Sequence, residues 1–449
     1  MNKKIPIDSH LIEFRFPEVK KHKLSNGLTL LIIERPELPK IYLRIGLPVG
    51  SKYDPPEKAG LSHLLALTIR KGTRENDYYT IMDTIERLGG ELDTVVNEDF
   101  FFLVGEFLSN YLETGIKLAR DILLYPQFPL DQVEKERLKI IADFENEKSS
   151  PQFLAQRRMD RALFAPHPYS LHKSIETIRQ ITREDLINFH NRFFSSKHAY
   201  LILSGNINES TAIRLAEKYF SNWKSSSIPD ISFQPPLERT ERTIFLVNRP
   251  GSAQSNILLG NLLFQRNHPD FEAMLVLNKI LGGGGSGRLF MYLREKKGYT
   301  YGAYSTMQTF REHGAWIANA EVRTEVTADA LNAFFSQFEK IKNEPVTEEE
   351  IINARRYLIG FFPLQNETPT SIAALALKQY LYDLPEDYWN KFLKTIANVS
   401  INDVQKMAQK YIMDDRMAIV IVGDAAKVQH KLGQFGYLEL YDKEDKKIG

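Results

Sequence analysis

The chain has no cysteine among its 449 residues, which excludes disulfides, thiolate metal sites and thiol nucleophiles. It also lacks an excess of either charge, with 58 Lys and Arg against 57 Asp and Glu and a formal net charge of +1. That balance leaves no electrostatic footprint for nucleic acid or an anionic membrane. Short basic runs such as Lys20-Lys21-His22-Lys23 read as solvated faces. No apolar run approaches the roughly 18 residues of a membrane span, and the opening Met1-Asn2-Lys3-Lys4-Ile5-Pro6 has no signal-peptide core. A soluble cytoplasmic protein is the expectation. A chain already relieved of an export leader would look the same, which leaves the periplasm open. What the sequence does have is apolar material, 43% of its residues, enough for two or three domains with cores of their own.

That material is organised as a duplication. Thr182-Arg183-Glu184-Asp185 opens an apolar-periodic run, and Ser400-Ile401-Asn402-Asp403 opens another. Each places a hydroxyl N-cap three residues before an acid, a helix-start signal that satisfies orphan backbone N–H groups. A strand-like run follows each helix, Ala199 to Gly205 and Met417 to Gly423, at the same offset of 218 residues. Three features in one register predict two homologous halves. Lys224-Ser225-Ser226-Ser227-Ile228-Pro229-Asp230, with Pro235-Pro236 beyond it, reads as the join. The expected domains are residues 1–224 and 237–449, with a linker over 225–236. Strands such as Leu28 to Ile33 and Arg242 to Val247 mix with long amphipathic helices such as Thr347 to Phe361. The expected class is α+β, each half a mixed, mostly antiparallel sheet covered by helices on one face.

Chemistry is concentrated in two segments. Gly60-Leu61-Ser62-His63-Leu64-Leu65-Ala66-Leu67, ending in Lys71-Gly72-Thr73, resembles the zinc helix of the pitrilysin-type (inverzincin) peptidases. Their motif is H-x-x-E-H, in which two imidazoles on one helical face reach a single zinc and the glutamate polarises the attacking water. Here His63 stands alone, with Ala66 at the glutamate position and Leu67 at the second histidine. The resemblance implies a further carboxylate ligand near Asp143, with Glu145 beside it. One imidazole and one carboxylate do not make the three-ligand site of a catalytic zinc. His167 and His172 lie in a proline-containing loop with the wrong spacing to replace the lost ligand. The expectation is that no cofactor is bound by this chain.

The second half carries Gly282-Gly283-Gly284-Gly285-Ser286-Gly287-Arg288-Leu289, then Leu293-Arg294-Glu295-Lys296-Lys297-Gly298-Tyr299-Thr300-Tyr301. The run resembles the same family's C-terminal signature, a glycine-rich loop followed by L-R-x-x-x-G-x-x-Y. The resemblance implies that Arg294 and Tyr301 lie near the scissile peptide, as donors to a carbonyl oxygen that becomes negative. Gly282, Gly283, Gly284 and Gly285 become candidate substrate-binding residues through close backbone approach. The same glycines fit G-x-G-x-x-G, but they follow a helix-like run, Met274 to Leu281, where a dinucleotide fold needs a strand. Gly89-Gly90-Glu91-Leu92-Asp93-Thr94, His167-Pro168-Tyr169 and Gly205-Asn206 extend the likeness over nearly the whole chain.

In the heterodimers typified by mitochondrial processing peptidase, one subunit holds zinc and a degenerate partner closes the chamber. The resemblance therefore implies a non-catalytic subunit that offers Arg294 and Tyr301 to a partner with intact H-x-x-E-H and its own zinc. The substrate would be a peptide or unfolded polypeptide. Two alternatives remain open at this point: a structural or peptide-binding subunit with no catalytic role, and an autonomous metallopeptidase with a rearranged metal site.

Overall fold

Among the described residues, short β-branched and aromatic runs build twelve strands, six to a half. In the first half they are β1 (Lys20–Lys23), β2 (Thr29–Glu34), β3 (Lys40–Leu47), β4 (Glu91–Val96), β5 (Phe101–Leu108) and β6 (Tyr200–Gly205). In the second they are β7 (Thr243–Asn248), β8 (Gln254–Leu263), β9 (Thr300–Thr309), β10 (Gly314–Arg323), β11 (Ala418–Gly423) and β12 (Tyr437–Tyr441). The computed structural model describes residues 14–229 and 231–449. Residues 1–13, where the sequence shows no signal-peptide core, and Asp230 of the linker lie outside them.

The sheets are ordered β1-β2-β6-β3-β5-β4 and β12-β7-β11-β8-β10-β9. Late strands β6 and β11 insert parallel to β2 and β7 and antiparallel to β3 and β8. Both sheets are otherwise mostly antiparallel, as expected. The duplication is visible element by element at the 218-residue offset. Helices Leu130–Glu147, Pro151–Phe164 and Arg183–Phe193 return as Glu348–Gln365, Pro369–Leu381 and Ile401–Tyr411. The two strands that follow them, β6 and β11, keep the same offset.

Both capping boxes form, with Thr182 and Ser400 accepting the amides of Asp185 and Asp403. Thr182→Ala and Ser400→Ala should each cost about 1 kcal/mol of unfolding free energy. Urea denaturation checks this, and the two losses should match because the caps are copies.

Each sheet packs one face on the helices of its own half. Leu30, Ile32, Leu43 and Ile45 meet Leu64, Leu65, Ile116 and Leu186. The strands also read apolar at the intervening positions, so the second face needs cover. It comes from the other half. Leu31, Ile33 and Ile202 pack on Ile372, Ala373 and Leu377 of helix Pro369–Leu381. Phe245, Val420 and Val422 pack on Leu154, Ala155 and Met159 of helix Pro151–Phe164. Duplicate helices have thus been exchanged between the halves. Glycines at equivalent places make room for them: a Cβ on Gly46 of β3 would meet Leu377 at 2.9 Å, and one on Gly260 of β8 would meet Met159 at 3.2 Å.

Candidate functional site

Helix Leu61–Thr68 starts where the buried Asp54 accepts the Gly60 and Ser62 amides, both at 2.9 Å, with Gly60 at φ 100°. Leu61, Leu64, Leu65 and Ala66 turn into the core. That leaves His63 and Leu67, four residues apart, on the less buried face. Leu67 therefore occupies the place of the second imidazole. Ala66 is buried, and its carbonyl accepts Thr94 Oγ1 of β4 at 2.5 Å.

Asp143 sits exposed on helix Leu130–Glu147, close enough to favour a charged His63. Burial outweighs it, aided by Lys173, and pushes the imidazole down to about 4. The donors at His63, Ala66, Leu67 and Asp143 do not fit a catalytic zinc. Among the described residues no group of three His, Asp or Glu side chains is gathered closely enough to hold a metal ion.

In front of His63 lies a cavity of about 420 Å³, lined also by Glu98, Asp160, Tyr169, His172 and Lys173. Burial raises Asp160 to about 7, against a 2.7 Å hydrogen bond from Gln156 and with Glu98 adding to the rise. His172 Nε2 lies 3.4 Å from Asp160. Burial, reinforced by Arg157, Arg161 and Lys173, lowers that imidazole to about 3. Desolvation thus favours the uncharged form of Asp160 and of both imidazoles.

The signs of their effects on stability are opposite. An acid raised from 3.8 to about 7 costs stability as pH rises through that window, and Asp54, also held at about 7, does the same. The lowered imidazoles contribute stability as pH rises from about 3 or 4 to 6.5. Asp160→Asn should therefore gain stability relative to the parent between pH 4 and 7, a difference read from melting curves taken across that range.

At the rim the two halves are clasped together. Lys52, 4% exposed, places Nζ 2.9 Å from Asp99 and 2.5 Å from Glu312. Tyr169 donates to Asp99 at 2.6 Å, and the Arg311 amide donates to it at 2.8 Å. His167, fully buried, holds the other Glu312 oxygen at 3.1 Å. That hydrogen bond, with Lys52 adding and burial opposing, keeps the Glu312 carboxyl down at about 2. His167 is therefore part of the clasp between the first half and the turn joining β9 to β10. Its other ring nitrogen, Nδ1, accepts the Tyr169 amide at 3.2 Å.

The glycine-rich loop is more enclosed than its composition suggests. Gly282 is buried, its carbonyl accepts the Ser305 amide at 2.9 Å, and a Cβ there would meet Ser305 Oγ at 2.5 Å. Lys279 Nζ ties down the Gly283 carbonyl at 2.7 Å. Gly282 is thus closely packed and Gly283 tied at its carbonyl, while Gly285 is exposed. Arg288 forks onto Glu350 at 2.6 and 2.9 Å, and Gly298, at φ 63°, ends the helical turn that carries Arg294. The Arg294 guanidinium lies over Phe290, 4.7 Å from the ring centre, and near Glu295. Tyr301 is 88% exposed. No hydrogen bond joins the two side chains among the described residues, so each faces outward separately.

Sequence reasoning missed Lys52, Asp99, Glu312, Asp160 and Glu98. They meet only through long-range folding, and no spacing announces them. No local signal singles them out, since Glu98 and Asp99 are adjacent, Arg311 precedes Glu312 and arginines flank Asp160.

Two interlocked α+β halves, with an H-x-x-E-H-like helix in the first and a glycine-loop signature in the second, define a peptidase of the pitrilysin-like class or a relative of one. The chain belongs to the M16 peptidase family. The profile described as Insulinase (Peptidase family M16) matches residues 30–174, and that described as Peptidase M16 inactive domain matches 180–358. An uncharacterized zinc protease of Bacillus subtilis, YmxG, is 20% identical over 399 residues, 88% of this chain and 96% of that protein. One of Mycobacterium leprae is 24% identical over 410 residues, 90% of this chain and 91% of that protein. The crystal structure of a peptidase M16 inactive domain from Pseudomonas fluorescens superposes with a TM-score of 0.84 at 26% identity, covering 90% of this chain and 98% of that one. A protease from Helicobacter pylori shares the fold, with a TM-score of 0.85 at 20% identity over 90% of this chain and 99% of its own. Among the described residues no helix is long and apolar enough to cross a membrane.

Proposed function

We propose that this chain is the non-catalytic subunit of a two-subunit zinc metallopeptidase. It closes the chamber and presents Tyr301 and Arg294 to peptide held at the zinc of a partner of the same family. The observation that carries this is the face of helix Leu61–Thr68, where His63 is followed four residues on by Leu67 while Ala66 is buried. Such a helix lacks the second imidazole and the general base, and loss of a general base alone lowers rates by about 10²–10⁴. The outward-facing Tyr301 and Arg294 support action on something outside the chain, since among the described residues Arg294 pairs only with the neighbouring Glu295 and Phe290 and Tyr301 is 88% exposed.

Co-expression with a family member bearing intact H-x-x-E-H is the test. A stoichiometric complex that cleaves unfolded peptides, when neither chain does so alone, is expected. A partner fully active without this chain would overturn the proposal.

A further inference from the structure

Lys52 and Arg288, cations drawn into the protein, are each met by a carboxylate. Arg44, in the middle of β3, is not. Leu43 and Ile45 on either side of it pack on Leu64 and Leu65 of helix Leu61–Thr68, so alternation along the strand sends Arg44 to the opposite face. That is the face covered by the exchanged helix Pro369–Leu381. Two residues on, Gly46 approaches Leu377 of that helix so closely that a Cβ would touch it at 2.9 Å. The next helix residue, Lys378, is near enough to Arg44 to feel its charge.

Arg44 is half-buried, and its guanidinium has no hydrogen bond or ion pair among the described residues. Burial lowers its pKa. The Lys378 ammonium is equally unanswered. Burial, then Arg266, then Arg44 lower its pKa, and no carboxylate raises it. An exposed side chain that still loses hydration stands in a cleft rather than on a convex surface. Arg266, just past β8, is fixed by Tyr388, whose hydroxyl accepts from Nη2 at 2.8 Å, and lies over Phe271, 3.7 Å from the ring centre. Its Nη1 is buried and has no acceptor among the described residues. Glu272 takes its hydrogen bond from Tyr388 instead. The acids on the open side of Arg44 are also spoken for. Glu106 of β5, opposite Tyr42, holds Lys40 at 2.5 Å, and Asp93 of β4, opposite Val104, holds Arg70 at 3.1 Å. Desolvated charges are costly unless an opposite charge answers them, and like charges within reach of one another add to the cost. An anion among these cations removes both penalties.

We propose that Arg44, Lys378 and Arg266 form a binding site for a small anion carrying two or more phosphate or carboxylate groups. Planar guanidinium forks take such groups through paired hydrogen bonds, and the ammonium adds a point charge. The site lies across the first sheet from His63 and stands whether or not the chain serves a peptidase.

Isothermal titration calorimetry on the full chain tests it, with inorganic pyrophosphate and citrate as probes and sodium chloride holding the ionic strength constant. Saturable binding of at least one is expected, pyrophosphate alone assigning phosphate and citrate alone assigning carboxylate. Lys378→Met should raise Kd about tenfold or more. The melting temperature of the anion-free variant should be unchanged or higher, because an unanswered charge is gone. Arg44→Gln should weaken binding in the same way and provides the second variant should the first fail to fold. Lys218→Met, which removes a lysine paired with Glu113 on a helix of the opposite face, should leave Kd unchanged. No saturable binding of either probe, unchanged Kd in the folded variants, an equal loss in Lys218→Met, or binding of an aspartate-rich peptide by a chain that ignores both small anions would each overturn the proposal.

Discussion

Lys52→Met is expected to destabilise the protein by about 3–5 kcal/mol, the penalty for stranding the buried Asp99 carboxylate, and in part Glu312, when the cation between them is removed. Asp99 is 1% exposed and Lys52 4%, so neither draws much help from water. Glu312 enters this pair from the second half, and the clasp therefore links sheet to sheet through charge as well as through the exchanged helices. Adding Glu312→Gln to Lys52→Met should recover part of the loss, because one stranded charge is then gone. The clasp also carries a pH signature. Glu312 titrates near 2, below its ordinary 4.5. Its contribution is present above 4.5 and fades as pH falls toward 2. Denaturant melts of the parent, the single and the double variant measure all three statements. A loss under 1 kcal/mol in Lys52→Met would show that water or rearrangement compensates the buried charges.

The largest effect on activity is expected at Tyr301. In the active complex Tyr301→Phe should lower kcat by about 10²–10³, the usual cost of removing one donor to a developing oxyanion. Arg294→Ala should act in the same direction. Neither change should disturb folding, since the Tyr301 side chain is 88% exposed and that of Arg294 about half exposed. Steady-state kinetics on purified complex, with assembly checked by sedimentation, separates the outcomes. Turnover unchanged in both variants would remove the in-trans role and favour a chain that only binds peptide or holds the assembly together.

Much of the architecture was legible because it was written twice. Capping residues Thr182 and Ser400, the strands after them and the prolines opening Pro151–Phe164 and Pro369–Leu381 share one register. Local rules of capping and periodicity find such features. The exchange of duplicate helices was not legible, because a helix's own sequence reports an apolar face and does not name the sheet that will cover it. Strands such as β11, buried at every position, did hint that both faces need cover. What approaches the glycine run was not legible, for a related reason. Glycine reports that a close approach is needed, and for Gly282 the approaching group is Ser305 of the same chain. His63, Ala66 and Leu67 were legible residue by residue, since helical geometry alone dictates which of them share a face. The clasp was not, because Lys52, Asp99, His167 and Glu312 lie far apart in sequence.

Metal analysis of the purified lone chain, run beside a peptide-hydrolysis assay, bears most directly on the claim that its own helix cannot sustain a hydrolytic zinc. Far less than one zinc per chain, lost on buffer exchange, and no cleavage of unfolded peptide are predicted. One tightly held zinc per chain that disappears in His63→Ala, together with cleavage abolished by a chelator, would contradict it.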